Sequence, residues 1–203
     1  MGSVFQENLV CLWAVVPKRR FVRKSRLRIT GDGFGIPIVL RYCLELCSSI
    51  SEALELLKRI PVHMSYNITL LDADLNYATI YMVPDDENLI TDYQVGTNHQ
   101  GEITWSDYAI MTKTMERMSL LESCILSSSE STQSIKQKFS PPPLFNNQYS
   151  KAFGTLYTAS YSPLNKSVDL LWPGKQISLE LADFVEQKTL INLKARVNRL
   201  LSI

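Results

Sequence analysis

The run Ser65-Tyr66-Asn67-Ile68-Thr69-Leu70-Leu71-Asp72, followed by Asp74-Leu75-Asn76 and then Tyr77-Ala78-Thr79-Ile80-Tyr81-Met82-Val83, reads as a β-hairpin. The first segment alternates loosely, the second is β-branched and aromatic, and the Asp and Asn residues between them are turn formers. Pro61 ends whatever helix precedes the hairpin, because it has no N–H to donate.

Upstream, Ile38, Val39, Tyr42, Cys43 and Leu46 fall at helical spacing, and a second helix is expected from Ile50 to Ile60. Ser49 and Glu52 form a capping box at its start, and Ala53, Leu54, Leu57 and Ile60 give it an apolar stripe. Ahead of both lies Gly31-Asp32-Gly33-Phe34-Gly35-Ile36-Pro37. It lacks the basic ending of a phosphate loop and the dinucleotide glycine spacing, so it reads as a packing turn before a helix opening near Pro37.

Downstream, Pro84 to Asn88 is an exposed acidic loop and Tyr93 to Thr97 a third strand. One long helix is expected from about Asp107 to Leu126, with Ile110, Met111, Thr114, Met118, Leu121 and Ile125 facing the core. A short helix follows over Ile135 to Phe139, and Pro141-Pro142-Pro143 imposes an extended connection. Strands are expected over Gly154 to Tyr161 and Val168 to Trp172, and an amphipathic helix over Leu190 to Leu201.

The chain has 203 residues, 45% of them hydrophobic, enough for a substantial core. It shows no membrane-length apolar run and no secretory leader pattern, so a cytoplasmic location and no membrane partner are expected. Cys11, Cys43, Cys47 and Cys124 are then free thiols, and with only His63 and His99 besides, no metal is assigned. Seven of the 21 basic residues lie between Lys18 and Arg28 with no acid among them. Phosphate neutralisation would suit such a block, but no stacking platform or recognition motif accompanies it. It reads as a solvated, poorly ordered terminal arm, and nucleic acid is not expected as a partner.

Thr97-Asn98-His99-Gln100 is the motif with chemistry in it. An Asn held at a strand end can donate its NH2 to a developing oxyanion. The same residues also simply end strands, since Thr, Asn and the following Gly101 are ordinary in turns.

Several separated blocks, in order, resemble one family. They are Gly33-Phe34-Gly35-Ile36-Pro37 with Arg41-Tyr42 and Leu44-Glu45; Pro61 through Asp72; Thr97-Asn98-His99-Gln100; Pro142-Pro143-Leu144; Gly154-Thr155-Leu156-Tyr157-Thr158-Ala159; and Trp172-Pro173-Gly174. Together they are similar to the choloylglycine hydrolase and penicillin acyltransferase (peptidase C45) group of N-terminal-nucleophile hydrolases, over roughly residues 31 to 187.

The resemblance implies an α+β fold, a partial αββα sandwich of mostly antiparallel sheets with packed helices. It implies a cysteine exposed at the mature N-terminus attacking a linear amide, with its own α-amine as base and no cofactor. An α-amine titrates near about 7.7 to 8.0 and the thiolate is the nucleophile, so both work near neutral pH. Asn98 takes the family's oxyanion-hole role, and Asn67, His99 and Thr155 are the expected substrate-side residues. Asn67 equally suits bonding a neighbouring turn, His99 an orienting or packing role, and Tyr157 the core.

The family's nucleophile lies well upstream of the glycine-rich loop. Cys11 is the only cysteine ahead of Gly31, in Leu9-Val10-Cys11-Leu12-Trp13, without the small residue expected before the scissile bond. The expectation is a three-part chain: a basic arm over residues 1–30, an incomplete N-terminal-nucleophile-like domain over 31–187, and a C-terminal helix over 188–203. Its function is that of a hydrolase- or acyltransferase-like domain for linear C–N bonds, working through an acyl-thioester, without its own nucleophile. Expected partners are a small acyl-amide or acyl-thioester and a missing N-terminal half or second copy. The alternative is a non-catalytic interaction module.

Overall fold

The computed structural model describes residues 2–5, 9–15, 20–22, 26–28, 31–103, 105–151 and 153–193. The expected hairpin is there as β5 (Tyr66–Asp72) and β6 (Tyr77–Met82), antiparallel with Ile68 opposite Ile80 and Thr69 opposite Thr79. Its turn is held by the buried Asp72. Asp72 Oδ1 accepts from the backbone N–H of Asp74 at 3.1 Å and of Asn76 at 2.9 Å, and Oδ2 accepts from Asn76 Nδ2 at 3.2 Å.

The hairpin is the middle of a five-stranded antiparallel sheet in the order β1 (Gly2–Phe5), β2 (Leu9–Val15), β5, β6 and β7 (Leu89–Thr91). The N-terminal stretch expected as a loose arm therefore contributes two of these strands. The uninterrupted run Leu9 to Val15 pairs with β5, Trp13 opposite Ile68 and Ala14 opposite Asn67. Within the basic block, β3 (Arg20–Val22) and β4 (Arg26–Arg28) pair as a small antiparallel ladder with Phe21 opposite Leu27.

Helices α1 (Ile36–Leu46) and α2 (Ile50–Leu57) cover one face of the sheet. Val39, Leu40 and Cys43 of α1 and Ala53 and Leu57 of α2 form one core with Tyr66, Ile68 and Leu70 of β5 and Ala78, Ile80 and Met82 of β6. Each fully buried Leu or Ile there contributes roughly 1.5–3 kcal/mol. The capping box of α2 forms with a shift. Ser49 Oγ accepts from Glu52 N at 3.4 Å, while the Glu52 carboxylate takes the N–H of Ser48, not of Ser49, at 2.8 Å. The glycine-rich passage packs as expected: Phe34 N donates to Pro61 O at 2.9 Å, and a Cβ on Gly33 would stand 2.5 Å from the Val62 carbonyl carbon.

Because side chains alternate across a strand, β5 and β6 turn a second set away from α1 and α2. Asn67, Thr69 and Thr79 belong to it, and they bind the segment after β7. Thr69 and Thr79 share a hydrogen bond of 2.9 Å, Thr79 Oγ1 donates to Tyr93 O at 3.0 Å, and Asn67 Nδ2 donates to Thr97 O at 2.9 Å. Tyr93 to Thr97, expected as a strand, is therefore irregular: side chains projecting from the sheet face take its carbonyls, and β7 takes the ladder position.

The expected long helix is two. α3 (Ser106–Thr112) and α4 (Thr114–Leu126) are separated by Lys113, which sits in the left-handed region at φ 51°. The break undoes the expected core stripe: Thr114 is fully buried, but Ile110 is 75% exposed and Met111 and Ile125 are also exposed.

Next come α5 (Thr132–Lys138), the short pair β8 (Asn147–Gln148) and β9 (Phe153–Gly154), and a meander of β10 (Thr158–Ser162), β11 (Ser167–Trp172) and β12 (Lys175–Glu180). The strand expected from Gly154 is interrupted over Thr155 to Tyr157, where Tyr157 is exposed instead of core. β12 was not expected from the sequence, although Gln176-Ile177-Ser178-Leu179-Glu180 alternates polar and apolar and its burial alternates with it. Lys136 of α5 binds Asp169 of β11 at 2.5 Å, and Ser178 of β12 donates to the same carboxylate at 2.6 Å, fastening helix to meander. Residues 182–193 are not helical, and the rest of the expected C-terminal helix lies outside the described residues. The observed class is α+β.

Candidate functional site

The site is the loop 97–100, clamped between the sheet and the α3–α4 pair. Asn67 projects from β5 with its Nδ2 bonded to two loop carbonyls, Thr97 O at 2.9 Å and His99 O at 2.8 Å. Gln100 answers in the other direction, its Nε2 donating to Tyr66 O at 3.1 Å and Met82 O at 3.4 Å. Both amides are buried, and neither amide oxygen has a donor among the described residues. With each NH2 committed to backbone carbonyls, the loop path is fixed against the start of β5 from both sides.

On the helix side, Thr114, the first residue of α4, is wholly buried. Its Oγ1 accepts from Asn98 N at 2.8 Å and donates to Thr97 Oγ1 at 2.9 Å, and Thr97 Oγ1 in turn donates toward Met118 Sδ at 3.8 Å. His99 Nδ1 lies 3.0 Å from Thr97 Oγ1 and 2.9 Å from Thr114 Oγ1. Either tautomer of the ring leaves Nδ1 within hydrogen-bonding distance of both hydroxyls. Burial holds the His99 pKa below the usual imidazole range, so the ring is neutral at neutral pH. Among the described residues the ring nitrogen Nδ1 is engaged by threonines rather than by a carboxylate.

The Asn98 side chain is held by two residues absent from the sequence expectations. Arg117 of α4 donates from a guanidinium nitrogen to Asn98 Oδ1 at 3.0 Å and to Thr112 O at 3.2 Å, and Asn98 Nδ2 faces Tyr108 Oη of α3 at a long 3.5 Å. Burial lowers the Arg117 pKa and raises that of Tyr108, the latter offset in part by the Asn98 bond and the Arg117 charge. On one continuous helix these residues, nine positions apart, would stand about 180° apart at 100° per residue. The break at Lys113 is what lets both reach Asn98. Thr114 carried a sequence signal only as part of an assumed apolar stripe. Arg117 is its neighbour three positions on, so one face of α4 meets both the backbone and the amide of Asn98.

The other sequence candidates are placed differently. Thr155 closes the β8–β9 region: its N–H donates to Asn146 O at 2.7 Å, its Oγ1 accepts from Asn146 N at 2.9 Å, and its carbonyl accepts from Tyr149 Oη at 2.6 Å. None of these bonds joins it to Asn98. Cys11 is in the middle of β2, with Val4 and Leu70 as register partners, and its side chain lies outside the described residues. Cys43, Cys47 and Cys124 are buried free thiols, and burial pushes Cys43 up to about 12.

A family model described as acyl-coenzyme A:6-aminopenicillanic acid acyl-transferase matches residues 22–176, from the end of β3 into β12. The chain belongs to this acyl-transferase family. It thereby falls in the penicillin acyltransferase and choloylglycine hydrolase group of N-terminal-nucleophile hydrolases, as the separated sequence blocks implied. The match runs through the hairpin, the 97–100 loop and both helices that clamp it. No curated protein matches the chain significantly. No helix among the described residues is long and apolar enough to cross a membrane.

Proposed function

We propose that this acyl-transferase family chain handles linear acyl amides through an acyl-thioester, with Asn98 as the oxyanion donor. In that reaction a cysteine thiolate attacks the amide carbon. The C–N bond breaks as the amine leaves with a proton, and water or a second amine then releases the acyl group from sulfur. The charge on the carbonyl oxygen rises in the tetrahedral state, and an amide donor already in position stabilises it without reorganising. The observation that carries the reading is the immobilised Asn98. Its backbone is tied to Thr114 and its side chain lies between Arg117 and Tyr108. Asn67 and His99 set the loop path, in an incomplete αββα sandwich over residues 31–187 whose sheet is extended by β1 and β2.

The cysteine that attacks is supplied from outside the chain. Cys11 in mid-strand is a poor nucleophile position, and the thiols of Cys43 and Cys47 are raised by burial. The test is two-part. Phenylacetamide titrated into the full ¹⁵N-labelled chain is expected to shift the Asn98 side-chain amide, and no shift up to saturation overturns the site. A chromogenic phenylacetyl anilide is expected to show no thiol-dependent turnover with the chain alone. Turnover abolished by Cys11→Ala overturns the external nucleophile.

The exposed apolar residues Ile110, Met111, Met115 and Leu126 on α3 and α4 favour the second reading, a non-catalytic interaction module. Light scattering tests both readings at once: a chain that stays monomeric with no tendency to associate counts against a missing half and against an interaction role.

A further inference from the structure

We infer that Arg117 is a positioning residue, one that selects which way the Asn98 amide faces and so aims its NH2 at the acyl oxygen; the inference rests on Asn98 being the oxyanion donor. A side-chain amide is nearly symmetric in shape, and its two orientations differ chemically only by exchanging a carbonyl oxygen for an NH2. An oxyanion site is useful in one of them alone. What surrounds the amide must therefore discriminate oxygen from nitrogen, and most protein groups do not. Tyr108 Oη, on the Nδ2 side, can accept or donate and tolerates either orientation. The guanidinium of Arg117 cannot, because it carries donors only. At 3.0 Å from the amide it admits Oδ1 and repels an NH2. The NH2 is thereby directed to the opposite side.

The arrangement also explains how Arg117 is itself fixed. The same nitrogen donates to Thr112 O at 3.2 Å, the last carbonyl of α3, which the break at Lys113 releases from the helical ladder. Thr112 Oγ1 bonds back to Tyr108 O at 2.8 Å, and Lys113 N closes onto Ala109 O and Ile110 O. The helix break thus creates an acceptor, the acceptor holds the guanidinium, and the guanidinium orients the amide. Partial burial keeps water from competing for Oδ1, and it appears as the downward pressure on the Arg117 pKa.

The experiment reads the orientation directly, in the full chain, by ¹⁵N-edited NMR. In the wild type one pair of Asn98 Nδ2 protons is expected with cross-peaks to the Tyr108 ring. Arg117→Lys, another donor-only cation, is expected to retain them. Arg117→Met is expected to lose them and to weaken phenylacetamide binding at Asn98 at least tenfold with the backbone amide dispersion unchanged. Should Arg117→Met not fold, Arg117→Gln serves, since its amide satisfies either orientation and is expected to give averaged or doubled Asn98 signals. Unchanged cross-peaks and unchanged affinity in the Met or Gln variant overturn the inference. If the wild type shows the cross-peaks but no response to phenylacetamide, the acyl-amide reading fails alone, and loss of the cross-peaks in Arg117→Met still supports the positioning role.

Discussion

The backbone N–H of Asn98 donates to Thr114 Oγ1 at 2.8 Å, so the residue proposed to meet the substrate takes its main-chain position from the first residue of a helix sixteen positions later. Thr114 Oγ1 also serves Thr97 and His99 and is fully buried. Replacing it with an isosteric methyl strands these partners. Thr114→Val is expected to lower stability by about 1–3 kcal/mol in urea unfolding followed by tryptophan fluorescence, while Thr114→Ser retains most of it. A Val variant as stable as the wild type would show that the hydroxyl does not organise the loop.

Asn67 donates both hydrogens of its NH2 to the carbonyls of Thr97 and His99. Asn67→Asp would turn a carboxylate oxygen toward those carbonyls in a buried place, costing on the order of 3 kcal/mol or more at pH 7. The sign with pH follows. Burial and facing carbonyls raise the new carboxyl's folded-state pKa above its unfolded value of about 3.9. The penalty is therefore least in acid and grows as pH rises through that window, which chemical denaturation of both chains at pH 4.5 and 7.5 would show.

These partners show which parts of the site were legible in the sequence. The hairpin, α1, α2 and the Thr97–Gln100 motif could be read because each is carried by local chemistry: turn residues, caps and apolar spacing. The path of 93–97 could not, because its carbonyls are taken by Asn67 and Thr79 from strands distant in the chain. The break at Lys113 had no local mark either, for lysine is an ordinary helix former, yet Lys113 takes the left-handed region at φ 51°. With the break invisible, Arg117 and Tyr108 stood on opposite faces of an imagined single helix. Apolar side chains such as Ile110 were then assigned to a core they do not enter.

Lys113 at φ 51° gives a stability prediction of its own. A non-glycine residue in the left-handed region costs about 1–2 kcal/mol that glycine avoids. The Lys113 ammonium is exposed and its 3.6 Å pair with Glu116 contributes little. Lys113→Gly is expected to leave stability equal or raise it by up to about 1 kcal/mol, and Lys113→Val to lower it. If instead Lys113→Val stabilised the fold, α3 and α4 would be one helix in solution and the proposed route from Arg117 to Asn98 would be lost.

His99 supplies a pH dependence. Burial depresses its folded-state pKa below the unfolded value of about 6.5, so in the window below that value the unfolded chain binds the proton first. The contribution is complete above the unfolded pKa and is lost as pH falls through the folded one. His99→Gln removes this titration. Between pH 7.5 and 5 the wild type is expected to lose more stability than the variant, read as the difference in urea midpoints. Parallel curves would mean that the ring is solvated in both states.

The buried thiols separate the two accounts of the nucleophile. Cys43 is completely buried and its pKa is pushed up to about 12 by that burial, with Cys47 one helical turn away adding to the effect. At pH 8 roughly one part in ten thousand of such a thiol is thiolate, and the thiolate is the reactive form. Burial raises Cys47 too, and Cys124 is buried on α4. Native chain treated with iodoacetamide at pH 8 and digested for mass spectrometry is therefore expected to carry all three unmodified, and chain unfolded in urea to carry all three labelled. Cys11 is read in the same digest. Rapid labelling of Cys11 in the native chain, with slow labelling elsewhere, would identify a reactive thiol within the chain and count against an external nucleophile. Protection of all four would leave attack to a cysteine supplied from outside.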